Sequence, residues 1–96
     1  MSRQLIELDG LRMQIDKVDT LLIQCLAKRQ ETVKEIAEIK KQKNLQIFCP
    51  EREQEMVGKR KALASQIDLD SDFIEDIFKK ILENSKKIQG EAWKSE

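Results

Sequence analysis

The residues best suited to chemistry are cations that occupy positions where a helix would carry apolar side chains. Arg29 and Lys40 fall in register with an apolar stripe that repeats every three or four residues, the spacing of one helix face. The apolar members of that stripe are Leu11, Ile15, Val18, Leu22, Cys25, Val33 and Ile36. Because a charge on a core-facing stripe is costly unless a group of opposite sign meets it, the two cations predict a buried anion site.

Two later segments also carry polar groups on faces that should be apolar. Arg52 and Glu53 open the second predicted helix, and Ser85 and Gln89 continue the apolar face of the third, one turn apart. Each residue alone has an ordinary structural explanation, since a long cation can extend to water and a serine can bond to its own backbone. Together they predict a cavity lined by cations, an amide, a hydroxyl and one carboxylate, which is typical of a small-anion pocket.

Composition narrows what could happen in such a pocket. The sequence has no histidine and no tyrosine, and no serine or cysteine has an evident base beside it. Proton shuttling and covalent catalysis are therefore poorly supported, and an enzyme of this kind must work by positioning and electrostatics. Cys25 and Cys49 match no metal or redox spacing, so we expect no metal site and reduced thiols.

The charge balance limits the possible partners. Lys plus Arg number 18 and Asp plus Glu number 18, so no net field attracts the chain to nucleic acid or to anionic lipid. No apolar run approaches the roughly 18 residues that span a bilayer, and no secretion-type segment opens the chain. We expect a cytoplasmic protein that binds neither membrane nor nucleic acid.

Three helices account for the pattern of the chain. A charged fraction of 38% with only 3 Gly and 1 Pro favours long solvated helices. The first is expected to start between Ser2 and Gly10 and to end or fray after Lys40, and the second to run from Pro50 to about Gln66.

The third helix has an expected start among three possible caps and an expected stop at a glycine. Asp70, Ser71 and Asp72 are all good N-caps, with Glu75 in a capping-box relation to Asp72. Gly90 is expected to end the helix.

The length of the first helix predicts an oligomer. About 35 residues would extend about 52 Å, whereas a compact domain of this size has a radius of gyration of about 13 Å. Two shorter helices cannot cover that stripe, so we expect residues 1–96 to form a single domain that pairs with a second copy.

These residues resemble the all-helical type of chorismate mutase. The resemblance covers nearly the whole chain and includes the charges on the apolar face as well as the helical periodicity. The matching residues are Leu11, Arg12, Ile15, Asp16, Asp19 and Leu22, then Arg29, Val33, Ile36 and Lys40, then Pro50, Glu51, Arg52 and Glu53, and finally Phe78, Ile81, Glu83, Ser85 and Gln89. The resemblance implies an intertwined all-α homodimer with two equivalent sites, each completed by an arginine from the other chain, for which Arg12 is the match.

The same resemblance implies a role for each residue in a Claisen rearrangement of chorismate to prephenate, a step of phenylalanine and tyrosine biosynthesis that uses no cofactor. Ser85 would add a hydrogen bond to the substrate, and Glu53 would accept one from the ring hydroxyl. Lys40 and Gln89 would donate to the ether oxygen, which gains negative charge as its bond to carbon breaks. The residues implied to hold the two carboxylates of chorismate are Arg12, Arg29, Lys40 and Arg52.

Gln89 leads to a prediction about pH. An amide donates hydrogen bonds without first being protonated, so activity should persist through neutral and mildly alkaline pH.

One position departs from the family, and other functions stay open. Cys49 stands where the family commonly has an aspartate that caps the second helix and helps to receive the ring hydroxyl. An isochorismate pyruvate lyase would use a similar pocket, although Glu53, Ser85 and Gln89 together favour the mutase. A non-catalytic helical dimerisation module would explain the stripe but not its charges, and a nucleic-acid-binding hairpin fits the neutral charge poorly.

Overall fold

The computed structural model describes residues 2–94, so the first residue and the last two of the predicted domain lie outside the described residues. Three helices follow one another as α1 (Arg3–Lys43), α2 (Pro50–Gln66) and α3 (Ser71–Lys94). Between residues 2 and 94 there is no strand, and the predicted all-helical fold with one long and two shorter helices is confirmed. None of these described helices is both long and apolar enough to cross a membrane.

The N-termini of α1 and α2 differ in how their first N–H groups are satisfied. Ser2 caps α1, because its Oγ accepts a hydrogen bond from the Leu5 N–H at 3.2 Å. Cys49 precedes α2 and makes no side-chain capping bond, so Pro50, which has no N–H to satisfy, starts this helix. Cysteine is a poor N-cap, and Cys49 makes no capping bond where the family commonly has an aspartate.

The N-cap of α3 is Asp70. Its Oδ1 accepts hydrogen bonds from the Asp72 N–H at 2.9 Å and the Phe73 N–H at 3.4 Å. The predicted capping box is wrong, because the third residue after this cap is Phe73. Glu75 lies further along the helix and instead forms ion pairs with lysines.

A left-handed residue followed by a leucine lies just beyond the C-terminus of both α1 and α2. Asn44 has φ 55°, and the next N–H, that of Leu45, bonds back to the carbonyl of Lys40 at 2.8 Å. Asp68 and Leu69 repeat this arrangement after α2. Asn and Asp tolerate the left-handed region better than most residues, so both helices stop sharply and the connector after α1 turns back toward Lys40.

Gly90 does not end α3, which continues to Lys94. A glycine stops a helix when it takes a positive φ, and no glycine among the described residues does so. Its helical conformation instead costs about 1 kcal/mol relative to alanine. The last turn of α3 thereby includes Trp93, which is half-buried.

The chain divides into two compact units, one ending at Thr32 and the other beginning at Val33, so α1 contributes to both. In the first unit every side chain from residue 2 to residue 28 is exposed. In the second unit α2 packs against α3, and the buried apolar residues are Val33, Ala37, Ala64 and Leu82. The buried polar residues are Ser85 and Gln89, so the second unit holds polar groups inside its small core.

Candidate functional site

Lys40 and Gln89, the two residues predicted to act on the ether oxygen, are in direct contact. Lys40 Nζ donates a hydrogen bond to Gln89 Oε1 at 3.0 Å and another to the backbone carbonyl of Ile47 at 3.1 Å. An ammonium group has three donors, so these two bonds leave one for a ligand. The Oε1 of Gln89 accepts the hydrogen bond from Lys40. The NH₂ of the same amide, which only donates, therefore points away from Lys40.

The burial of this pair strengthens its hydrogen bonds. Gln89 is 7% exposed and Lys40 is half-buried. A hydrogen bond to a charged donor is stronger where water competes less for both groups. The last turns of α1 also reach α3 through Lys41, whose Nζ donates to the Ala92 carbonyl at 3.4 Å. These contacts hold the end of α1 against the end of α3.

Ser85 lies one helical turn before Gln89 and is 5% exposed. Its Oγ donates to the Ile81 carbonyl at 2.9 Å, so Ser85 makes the bond to its own helix backbone that is ordinary for a serine. A hydroxyl that has donated its proton still has lone pairs that accept. To donate a hydrogen bond to a substrate carboxylate, however, the Ser85 hydroxyl would have to rotate away from the Ile81 carbonyl.

The first turn of α2 directs Arg52 and Glu53 differently. The Arg52 side chain is 59% exposed, with its guanidinium 3.8 Å from Glu55. The Glu53 side chain is only 25% exposed, and its Oε1 lies 3.4 Å from the Nζ of Lys86 on α3. The structure therefore brings Glu53 to α3, where Ser85 and Lys86 are adjacent, and leaves Arg52 at the surface.

Two further groups contact the predicted site residues and were not predicted from the sequence: the ammonium group of Lys86 and the carbonyl of Ile47. Lys86 lies three residues before Gln89, beside the face that carries Ser85, and this position could have identified it. Its Nζ lies 4.5 Å from the centre of the Phe48 ring, within cation–π range. No side-chain pattern could have indicated the Ile47 carbonyl, because any residue has one.

A groove of about 600 Å³ runs between α2 and α3 in the second unit. Phe48, Glu53, Leu82 and Lys86 line one part of it, whereas Lys40, Ser85 and Gln89 do not belong to its walls. The groove thus adjoins the predicted site at Glu53.

The far end of the groove contains an ion-paired cluster. Lys61 Nζ lies 2.7 Å from Glu75, and Lys79 Nζ lies 3.1 Å from the same carboxylate. The hydrogen bond from Lys61, then that from Lys79, lowers the pKa of Glu75, and the bond with Glu75 raises the pKa of Lys61. Both groups are charged at neutral pH, so the cluster joins α2 to α3 and needs no ligand.

Arg12 and Arg29 belong to the first unit. The Arg12 side chain is 68% exposed, and its guanidinium lies 3.7 Å from Asp9, one turn earlier on α1. Arg29 is half-buried. Their contribution to the site stays a prediction.

The sequence matches the protein family described as chorismate mutase type II over residues 11–90. It is 30% identical over 83 residues to the chorismate mutase of Methanocaldococcus jannaschii, a match that covers 86% of this chain and 84% of that protein.

Two longer proteins are more similar in sequence. The chain is 42% identical over 79 residues to the T-protein of Enterobacter agglomerans, covering 82% of this chain and 21% of that protein. It is 38% identical over 78 residues to the T-protein of Haemophilus influenzae, a match that covers 81% of this chain and 21% of that protein. The chain therefore corresponds to about a fifth of the length of each T-protein.

Proposed function

The chain belongs to the chorismate mutase type II family, and on that basis we propose that it converts chorismate to prephenate. The observation that carries the proposal is the contact between Lys40 and Gln89, at 3.0 Å. This contact places the ammonium group of Lys40, on α1, beside the amide of the buried Gln89, on α3, in a sequence without histidine or tyrosine.

The proposed reaction suits donors that do not exchange protons. In the rearrangement the ether carbon–oxygen bond breaks while a carbon–carbon bond forms within the same molecule, so no proton is transferred and no cofactor takes part. Negative charge grows on the ether oxygen in the transition state. The third N–H of Lys40 and the amide NH₂ of Gln89 stabilise that charge more than they stabilise the substrate, which is the condition for a faster reaction.

The remaining predicted residues hold the substrate in a reactive conformation. Arg29 and Arg52 bind its carboxylates, Ser85 adds a hydrogen bond, and Glu53 accepts one from the ring hydroxyl. Restraining a flexible side arm near its attack geometry supplies a large part of the acceleration in reactions of this type. Arg52 fits this role because its long side chain is exposed and free to turn from Glu55 toward a dianion.

We propose further that two copies of the chain form an intertwined homodimer. The support is the apolar surface of the first unit, which nothing in the described chain covers. Its exposed apolar residues include Leu11, Ile15, Val18, Leu21, Leu22 and Ile23. A helix with so much exposed apolar surface is marginal in water, and a second copy of the same surface would bury it. In this dimer Arg12 of each chain completes the site of the other.

The cytoplasm is the proposed location. Cys25 and Cys49 are both free and exposed, a state that persists in a reducing compartment.

The experiment is to add chorismate to the purified protein, follow its disappearance and identify the product. Prephenate is expected, with Lys40→Ala lowering kcat/KM about 10²- to 10³-fold because one charged donor to the transition state is lost. Lys43→Ala is the matched control, since Lys43 lies in the same last turn and is exposed. A wild-type protein that is inert toward chorismate would overturn the proposal. Isochorismate should be tested in parallel, because salicylate and pyruvate as products would identify a lyase.

A further inference from the structure

Lys86 is the cation most closely associated with the carboxylate of Glu53. Its Nζ lies 3.4 Å from Glu53 Oε1, and the two side chains are 36% and 25% exposed. Most other ion pairs among the described residues join side chains within one helix and are more exposed. The pair between Lys86 and Glu53 instead connects α3 to the first turn of α2.

Phe48 provides a second contact for the same ammonium group. The Lys86 Nζ lies 4.5 Å from the centre of the Phe48 ring, whose face attracts a cation. Phe48 lies in the connector just before Cys49 and Pro50, so Lys86 contacts both the residue that leads into α2 and a residue of its first turn. A lysine with one carboxylate and one ring on it has far fewer conformations than a solvated lysine.

The missing cap at Cys49 makes these contacts more important. Cys49 makes no side-chain capping bond, so its side chain pairs with none of the first N–H groups of α2. Its thiol donates a weak hydrogen bond to Glu51 at 3.6 Å, a contact that does not involve Glu53. Among the described residues, the ion pair with Lys86 connects the Glu53 side chain to α3.

Electrostatics gives Lys86 a second effect. The carboxylate of Glu53 repels a dicarboxylate ligand in the same site. The same carboxylate is also the proposed acceptor for the hydrogen bond from the ring hydroxyl. A cation on its other oxygen offsets the repulsion and leaves lone pairs free, since an ionised carboxylate accepts several hydrogen bonds.

We propose that Lys86 is a positioning residue that holds Glu53 and offsets its charge, and so favours a dianionic substrate carrying a hydroxyl group. This inference rests on the proposed mutase function. Lys86 does not touch the reacting atoms and acts through Glu53 alone. Its contribution is the same for bound substrate and transition state, so it changes KM more than kcat.

The test compares Lys86→Met with Lys86→Arg and Lys87→Met in the full chain, with chorismate as substrate. Lys86→Met should raise KM about fivefold to tenfold with little change in kcat, as expected for loss of a half-buried ion pair. Lys86→Arg keeps the charge and the aromatic contact and should restore most of the lost affinity. Lys87→Met makes the same change at the next, exposed position of α3 and should behave as wild type.

A double-variant cycle isolates the route through Glu53. In a Glu53→Gln background, which keeps an acceptor but removes the charge, Lys86→Met should have no further effect on KM. Equal KM values for wild type and Lys86→Met would overturn the inference, and so would an undiminished effect in the Glu53→Gln background. Circular dichroism of each variant checks the fold, and Lys86→Gln provides a second charge-removing change if Lys86→Met loses helix. Failure of the mutase function would differ from all of these outcomes, because wild type itself would then leave chorismate unchanged.

Discussion

The two units of the chain differ most in what their helices do with apolar side chains. Leu22 in the first unit is 58% exposed, whereas Ala37, fifteen residues later on the same helix, is fully buried at 0%. In the second unit Ser85 and Gln89 are buried and Lys40 is half-buried, whereas the apolar stripe of the first unit is exposed to water. A helix cannot bury its own stripe, so the first unit lacks a partner surface, while the second has its own. In the proposed function, the first unit provides the contact between the two copies together with Arg12 and Arg29, and the second unit provides the other residues of the site.

The strongest test of this division is complementation between Arg12→Ala and Lys40→Ala. Each variant alone should lose at least about 100-fold in activity, since each lacks one charged contact with the substrate. If Arg12 serves the other chain, a mixed dimer contains one intact site, so an equimolar mixture allowed to exchange chains should recover about a quarter of wild-type activity. The measurement is the rate of chorismate consumption before and after mixing.

No recovery in that mixture would place Arg12 and Lys40 in the site of the same chain. Mixing Lys40→Ala with Gln89→Ala provides the matched control, because both residues belong to one unit and their mixture should stay inactive.

The apolar stripe of the first unit can be broken by Leu22→Asp. An unpaired carboxylate buried in a dimer interface costs about 3 kcal/mol or more, so the dimer dissociation constant should rise about 100-fold or more. Sedimentation velocity measures the association, and circular dichroism measures the loss of helix that accompanies it. Gln24→Asp introduces the same charge two residues later, on another face of α1, and should leave the association unchanged. A wild-type protein that stays monomeric at all concentrations would contradict the proposed homodimer.

Within the second unit, the two helix N-termini provide a smaller and sharper contrast. Cys49→Asp should raise the free energy of unfolding by about 1 kcal/mol, because aspartate can cap α2 and meets its dipole favourably. Asp70→Ala should lower it by about the same amount, since Asp70 accepts two N–H bonds at the start of α3. Urea unfolding at neutral pH measures both changes. Cys49→Ala removes the thiol without adding a cap, so equal stability of Cys49→Asp and Cys49→Ala would refute the explanation.

The smallest expected effect is that of Glu75→Gln, and it depends on pH. Lys61 and Lys79 lower the pKa of Glu75 in the folded state, so this carboxylate stabilises the fold above its ordinary pKa. That stabilisation is lost as the pH falls through the lowered pKa. Wild type should therefore be the more stable protein at neutral pH, and the difference should vanish in acid.

Urea unfolding at several pH values follows this difference. Glu83→Gln is the control, because Glu83 is an exposed residue paired with Lys80 at 3.7 Å and should make little difference at any pH. A stability difference for Glu75→Gln that stayed constant into acid would show that the cluster acts by packing and not by charge.

Much of the fold follows from local sequence signals. The three helices, the start of α2 at Pro50 and the weak cap at Cys49 all depend on residues within a turn or two of one another. Gly90 and Glu75 show where local signals fail. Glycine ends a helix only where it adopts a positive φ itself, which Gly90 does not. A glutamate completes a capping box only three residues after the residue that caps, which is Asp70 here.

Periodicity and residue type were enough to indicate an all-helical chain, an inward-facing Lys40 and polar positions at Ser85 and Gln89, because side-chain direction on a helix depends only on spacing. Folding of the chain in three dimensions was needed to pair Lys40 with Gln89, 49 positions apart, and to place Lys86 on Glu53. It also turned the Ile47 carbonyl toward Lys40. Contacts of this kind depend on how helices cross and where connectors turn, and neither is a property of any single segment.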